Sequence, residues 1–228
     1  MNLTQSPEPI SRRSLHEELV ARLRTMIVDG TMPAGKKVPE KDLCERFAVS
    51  RTPLREALKV LAADGLLYLE PNRGAWVTEL TESEVSEVFP VLGALEALSG
   101  ELACENITDE ELAALRQHHD RMMLSYKEQD LDGYFQANQR IHAGILSAAR
   151  NETLVIQCEA LSARMQRARY LANISEDRWA EAVSEHEEII AALEVKDGKA
   201  LGEILKKHMH NKQLSILKWL DANRETAA

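Results

Sequence analysis

The stretch Val49-Ser50-Arg51-Thr52-Pro53-Leu54-Arg55-Glu56-Ala57-Leu58 decides how this chain is read. Ser50 is a favourable N-cap, and Pro53 falls in the first turn, where its missing N–H breaks no intrahelical bond, so a helix starts here. Leu54, Ala57, Leu58, Leu61 and Ala62 follow the i, i+3, i+4 rhythm of one buried stripe. Arg51, Thr52 and Arg55 are left together on another face near the helix N-terminus. Arginine offers a planar fork of donors suited to guanine edges or phosphates, and threonine a small hydroxyl that fits against either. The pattern predicts a helix whose start touches a polyanion.

The flanks give that helix its setting. Upstream, Pro39 to Phe47 reads as a short helix with Leu43 and Phe47 facing in, and only Ala48, Val49 and Ser50 separate it from the next, the spacing of a helix-turn-helix. Downstream, Gly65 suits a left-handed helix end. Leu67 to Glu70 and Ala75 to Thr78 read as two short strands around the turn Pro71-Asn72-Arg73-Gly74, which makes a wing with a cation at its tip. Ser14 to Asp29 reads as a first helix with Leu15, Leu19, Leu23, Met26 and Ile27 on its core stripe. Lys36, Lys37 and Lys41 stand where phosphates are met. The candidate DNA contacts are Lys41, Arg46, Ser50, Arg51, Thr52, Arg55, Arg73 and Gly74.

The run from Met32-Pro33-Ala34-Gly35 through Val49 to Leu58, Gly65-Leu66-Leu67 and Arg73-Gly74-Ala75-Trp76-Val77 resembles the winged-helix domain of the GntR family of bacterial transcription regulators. The resemblance covers roughly residues 11 to 78. It implies a protein that binds double-stranded operator DNA.

The length of 228 residues is natural for two domains, with 44% apolar residues to fill a core in each. Cys44, Cys104 and Cys158 are odd in number and contain no CxxC pair, which argues against a disulfide framework and for a cytoplasmic protein. The first ten residues lack a basic start and an apolar core, and no run of 18 apolar residues occurs, so neither export nor a membrane is expected. The net charge of −9 is unevenly spread: residues 1–78 hold 12 basic against 10 acidic residues, and the remainder 16 against 27. An acidic C-terminal part leaves DNA contact to the N-terminal one.

After Thr78 the pattern is purely helical. Thr81-Glu82-Ser83-Glu84 and Thr108-Asp109-Glu110-Glu111 read as capping boxes that start helices near 82–105 and 109–129. Further helices are expected near 131–149, 152–171, 177–196 and 198–222, separated at Asp130, Asn151, Asn173 to Ser175 and Asp197-Gly198. The fold class expected is mainly α: a winged helix-turn-helix over 11–78 and an all-α bundle over 82–222. A disordered tail over 1–10, a linker over 79–81 and a tail over 223–228 complete the division.

Histidine placement gives the second constellation. Asn138 and His142 sit one turn apart on the inward face of their helix, His186 lies on the stripe of Trp179, Val183, Ile190 and Leu193, and His208 lies with Leu201 and Leu205. His16, His118, His119 and His210 fit no inward stripe and read as surface residues. A single inward histidine is ordinarily a core residue, but three from three helices with an amide suggest a metal site inside the bundle.

Residues 80–220 resemble the FCD effector domain of the FadR branch of GntR regulators, whose pattern is an Asp, a His four residues on, and two further His in the last helices. Here His142 follows Asn138 by four, and His186 and His208 stand 22 apart. The resemblance implies a divalent metal, zinc or nickel, on Asn138, His142, His186 and His208 beneath a pocket for a small carboxylate effector. Two positions depart from the pattern. Asn138 replaces the usual Asp and brings no charge, and Gly93 stands where many relatives carry an effector-binding Arg, which leaves the effector's anchor unknown.

Alternatives remain open at this point: an effector-binding regulator without metal, or a metal-dependent enzyme fused to a DNA-binding domain. No HExxH, Gly-rich phosphate loop or nucleophile elbow occurs, so no enzyme is expected. Two-fold symmetry would let two recognition helices read a palindromic operator, so a homodimer is expected.

Overall fold

The computed structural model describes residues 12–171 and 176–225. The expected 1–10 tail and the turn at Asn173 to Ser175 fall outside them. The chain divides into two compact units, Met1–Glu79 and Leu80–Ala228.

In the first unit, α1 (Arg12–Val28), α2 (Glu40–Phe47) and α3 (Arg51–Ala63) are followed by β1 (Leu67–Glu70) and β2 (Gly74–Val77). Leu19, Leu23 and Ile27 of α1 meet Leu43, Leu54, Ala57, Leu58 and Leu61, with Leu67, Ala75 and Val77 closing the core from the hairpin. Leu15 is 52% exposed and does not belong to the α1 core stripe. Between α2 and α3 the chain turns through Ala48 at φ 52, with the Val49 N–H bonded to Cys44 O at 3.0 Å. Gly65 at φ 76 ends the recognition helix, and Leu66 N–H returns to Leu61 O.

Ser50 is the N-cap of α3 by backbone conformation, yet its hydroxyl makes no capping bond. The cause is Pro53, which occupies N3 and has no N–H to donate. The hairpin pairs antiparallel from Leu67 with Val77 to Glu70 with Gly74. It gains a short third edge: Val77 N–H donates to Lys36 O and Val38 N–H to Ala75 O, both at 2.9 Å, around a bridge between Lys37 and Trp76. So short a pairing carries no visible alternation.

The second unit is helical among the described residues: α4 (Glu82–Asn106), α5 (Asp109–Lys127), α6 (Leu131–Ala148), α7 (Glu152–Arg164), α8 (Gln166–Leu171), α9 (Glu176–Glu194) and α10 (Gly198–Glu225). Thr108 and Glu111 form the full reciprocal capping box. At Thr81 only the hydroxyl's half is made, because the Glu84 carboxylate is taken by Arg164 Nη2 at 2.8 Å. The helix expected over 152–171 is broken at Met165, and α10 runs on to Glu225, past the expected tail boundary. Leu80, expected in a linker, packs against the cluster of Val85, Phe89 and Leu92.

The long helices α4 and α10 lie against each other, and small residues let them. A Cβ on Gly100 would fall 2.6 Å from Leu205 and 2.9 Å from Leu201, and one on Gly93 3.3 Å from the Cβ of Met209. With α6 and α9 packed alongside, this approach brings Glu96, Asn138, His142, His186, His208 and Lys212 into one buried interior.

Candidate functional site

Arg51, Thr52 and Arg55 stand exposed at the start of α3, as the periodicity requires. A groove of about 650 Å³ runs between α3 and the wing. Lys41, Arg51, Arg55, Arg73 and Gly74 line it, joined by Lys37, Lys59 and Asn72. Arg46, Ser50 and Thr52 are exposed but outside that lining, and Arg46 lies over the Phe47 ring at 5.7 Å. Carboxylates interleave with the cations: Glu40 Oε2 accepts from Arg55 Nε at 3.0 Å and Glu70 Oε2 pairs with Arg73 at 2.9 Å. Because Glu40 holds Arg55 through Nε, the two terminal amino groups of the fork stay available for a ligand.

Within the second unit the four inward residues meet. Asn138, His142, His186 and His208 are all buried, and one nitrogen from each imidazole lies within 4.8 Å of the others. The Nδ1 atoms are each tied to an acceptor. His142 Nδ1 sits 2.7 Å from Glu96 Oε2, His186 Nδ1 2.7 Å from Ala182 O, and His208 Nδ1 bonds Glu185 Oε2. A carbonyl or carboxylate can only accept, so each Nδ1 carries the proton and each Nε2 keeps its lone pair. His142 Nε2 and His208 Nε2 have no partner among the described residues, while His186 Nε2 accepts from Asn138 Nδ2 at 3.1 Å.

Burial pushes the pKa of His142 down to about 4 against the pull of Glu96, and pushes those of His186 and His208 well below the ordinary value. The imidazoles are therefore neutral at pH 7, the form that ligates metals. Burial disfavours the Glu96 charge, but His142, Arg169 and Lys212 outweigh it and hold its pKa down to about 2. At neutral pH the Arg169 guanidinium, 3.5 Å away, is its charged partner. Two orphaned, buried lone pairs among three neutral imidazoles with fixed tautomers fit a borderline-soft divalent ion.

Sequence reading missed the charged groups that surround these residues. Glu96, Glu185, Arg169, Arg178 and Lys212 are all buried around the triad. Glu96 interrupts the apolar stripe of α4, and Lys212 lies one turn beyond His208, so both carried a legible signal. His16, His118 and His119 are half-buried, against the surface reading, whereas His210 is exposed.

Two family models match the chain: that of the bacterial regulatory proteins of the gntR family over residues 15–77, and that of the FCD domain over 87–211. The chain belongs to the GntR family of transcriptional regulators, with an FCD domain at its C-terminal end. This regulator is 26% identical to the HTH-type transcriptional repressor RspR of Escherichia coli K12, with 89% of each chain covered. It is 30% identical to the gluconate operon transcriptional repressor of Bacillus licheniformis, over 86% of this chain and 82% of that one. Among solved structures, E. coli McbR/YncC shares the fold at a TM-score of 0.80 and 24% identity, over 90% of this chain and 98% of the other. The family's members are regulators and not enzymes. No helix among the described residues is long and apolar enough to cross a membrane.

Proposed function

We propose that this DNA-binding regulator is a repressor that reads a palindromic operator as a homodimer and releases or tightens it when a small carboxylate enters the C-terminal unit. Asn138, His142, His186 and His208 would hold one divalent ion, zinc or nickel. The observation that carries this reading is the set of Nδ1 contacts to Glu96, Ala182 and Glu185, which turns the three Nε2 atoms towards one another, those of His142 and His208 without a partner among the described residues and that of His186 shared with Asn138. A bound divalent ion supplies open coordination positions that suit an anionic carboxylate.

Repression is supported by two relatives that bear the name of repressors. For the operator, Arg51 and Arg55 are the base-reading candidates and Lys41 and Arg73 the phosphate contacts. Pairing between copies is supported by exposed apolar residues on adjacent helices, Val91 and Leu98 of α4 and Ile156 of α7, which a partner copy would cover. Leu98→Arg should turn the dimer into a monomer in sedimentation velocity; a variant that stays dimeric removes this face.

A metal-free effector site draws on one observation, the Asn138 to His186 hydrogen bond, which satisfies the pair without an ion. Calorimetric titration of chelator-treated protein with nickel and zinc decides between the two. The metal reading expects saturable binding of one ion per chain, lost in His142→Ala and His208→Ala. Absence of binding by the wild type leaves the metal-free site.

A further inference from the structure

Lys212 is 1% exposed, four residues beyond His208 on α10, and makes no hydrogen bond or ion pair among the described residues. Lysine is almost never fully buried without a partner, because an unpaired ammonium loses its hydration and gains nothing. The two buried carboxylates nearby already have other cationic partners: Glu96 pairs with Arg169 at 3.5 Å and Glu185 with Arg178 at 2.7 Å. Lys212 shares the buried interior with Glu96 and the three imidazoles, where burial pushes its pKa well below that of a free ammonium, the Arg169 charge adds to the fall and Glu96 pulls against it.

The metal ligands bring no charge of their own. Three imidazoles and an amide are neutral, so none of an ion's two positive charges is cancelled by the residues that would hold it. A monocarboxylate directed to the ion offsets part of that charge and offers Lys212 nothing. A dicarboxylate does the same with one group, and its second anionic group gives Lys212 the partner it lacks.

We infer that the effector is a small dicarboxylate, one carboxylate directed to the His142, His186 and His208 cluster and the other held by Lys212. The inference rests on the metal-and-carboxylate reading above and adds the second anchor to it. Lys212 is then the residue that separates dicarboxylates from monocarboxylates of the same head group.

The test is calorimetry on the full-length, nickel-loaded protein with matched 2-hydroxy acids: malate against lactate, and 2-hydroxyglutarate against 2-hydroxybutyrate. In the wild type at least one dicarboxylate should bind tighter than its monocarboxylate counterpart by about tenfold or more, the order expected of one charge-assisted hydrogen bond. In Lys212→Met that ratio should fall towards one while nickel still binds, and Lys212→Arg should retain part of it. Nickel binding by both proteins shows that each is folded. A wild type that takes up nickel yet binds both classes equally, or a ratio that survives Lys212→Met, overturns the assignment of Lys212 and leaves the carboxylate reading standing. A wild type that binds neither nickel nor any of the four acids overturns both.

Discussion

Asn138 Nδ2 stands 3.1 Å from His186 Nε2, so amide and imidazole satisfy each other inside the bundle. The tautomer is fixed by Ala182 O, which leaves His186 Nε2 as acceptor and Asn138 as donor. For the amide oxygen to face an ion with that nitrogen, the amide must turn over and this bond must be given up. Metal uptake therefore competes with an internal hydrogen bond as well as with water.

Asn138→Asp removes the donor and adds a negative charge at the same place. It should tighten nickel or zinc by about tenfold or more, since a charged oxygen ligand replaces a neutral one. Without metal the same variant should lower the melting temperature, because a carboxylate then faces a lone pair. Unchanged metal affinity by calorimetry would remove Asn138 from the ligand set.

Acid should destabilise chelator-treated protein through the histidines. His142 has its pKa held at about 4 by burial, against an ordinary 6.5, so the unfolded chain takes up the proton before the folded one. The stability linked to His142 is complete above pH 6.5 and is lost as pH falls from there towards 4, at up to about 1.4 kcal/mol per pH unit. His186 and His208 shift in the same direction and steepen the loss. Urea midpoints should drop between pH 7.5 and 5.5, and His142→Gln should flatten the drop. A flat profile for the wild type would contradict the burial of neutral imidazoles.

At the DNA face, Arg51→Ala and Arg55→Ala should each weaken binding to a selected operator by about 1–3 kcal/mol, with the fold unchanged by circular dichroism. Arg73→Ala at the wing should reduce affinity evenly across sequences and lessen its salt dependence. Gel-shift titrations at two salt concentrations separate these behaviours, and full affinity in both helix variants would exclude α3 as the reading element.

Glu40 makes the same interface testable from the opposite side. Its carboxylate holds Arg55 Nε at 3.0 Å. Glu40→Ala removes a negative charge from the groove, so non-specific DNA should bind more tightly, while the freed Arg55 should discriminate less between operator and random duplex. Competition assays read the two effects independently, and an unchanged specificity ratio would show that Arg55 needs no such orientation.

The parts of the molecule legible in the sequence are those governed by local rules. The 3.6-residue rhythm of Leu54, Ala57, Leu58 and Leu61 placed the recognition helix, Gly65 marked its end, and the rhythm of three helices turned Asn138, His142, His186 and His208 inward. What was hidden depends on contacts between distant segments. The pairing of Lys37 with Trp76 spans too few residues to leave a pattern. The Glu185 bond to His208 crosses from α9 to α10, and Glu96 reaches His142 from α4 to α6, so neither partner is visible from either helix alone. Ser50 shows the reverse case, a favourable capping residue whose donor at N3 is removed by Pro53 three positions on.

Acid binding at the histidine cluster is expected to change DNA affinity. The direct measurement is fluorescence anisotropy of a labelled duplex, selected from a random library by the wild-type protein, titrated with each protein in nickel-containing buffer with and without malate or lactate. Wild type and His210→Ala should change duplex affinity by about 5–150-fold when acid is added, the range of ordinary coupling between two sites. His208→Ala should bind the duplex at its basal affinity and ignore the acid. The account is contradicted if His208→Ala responds like the wild type, or if His210→Ala, whose side chain is exposed, abolishes the response while His208→Ala keeps it.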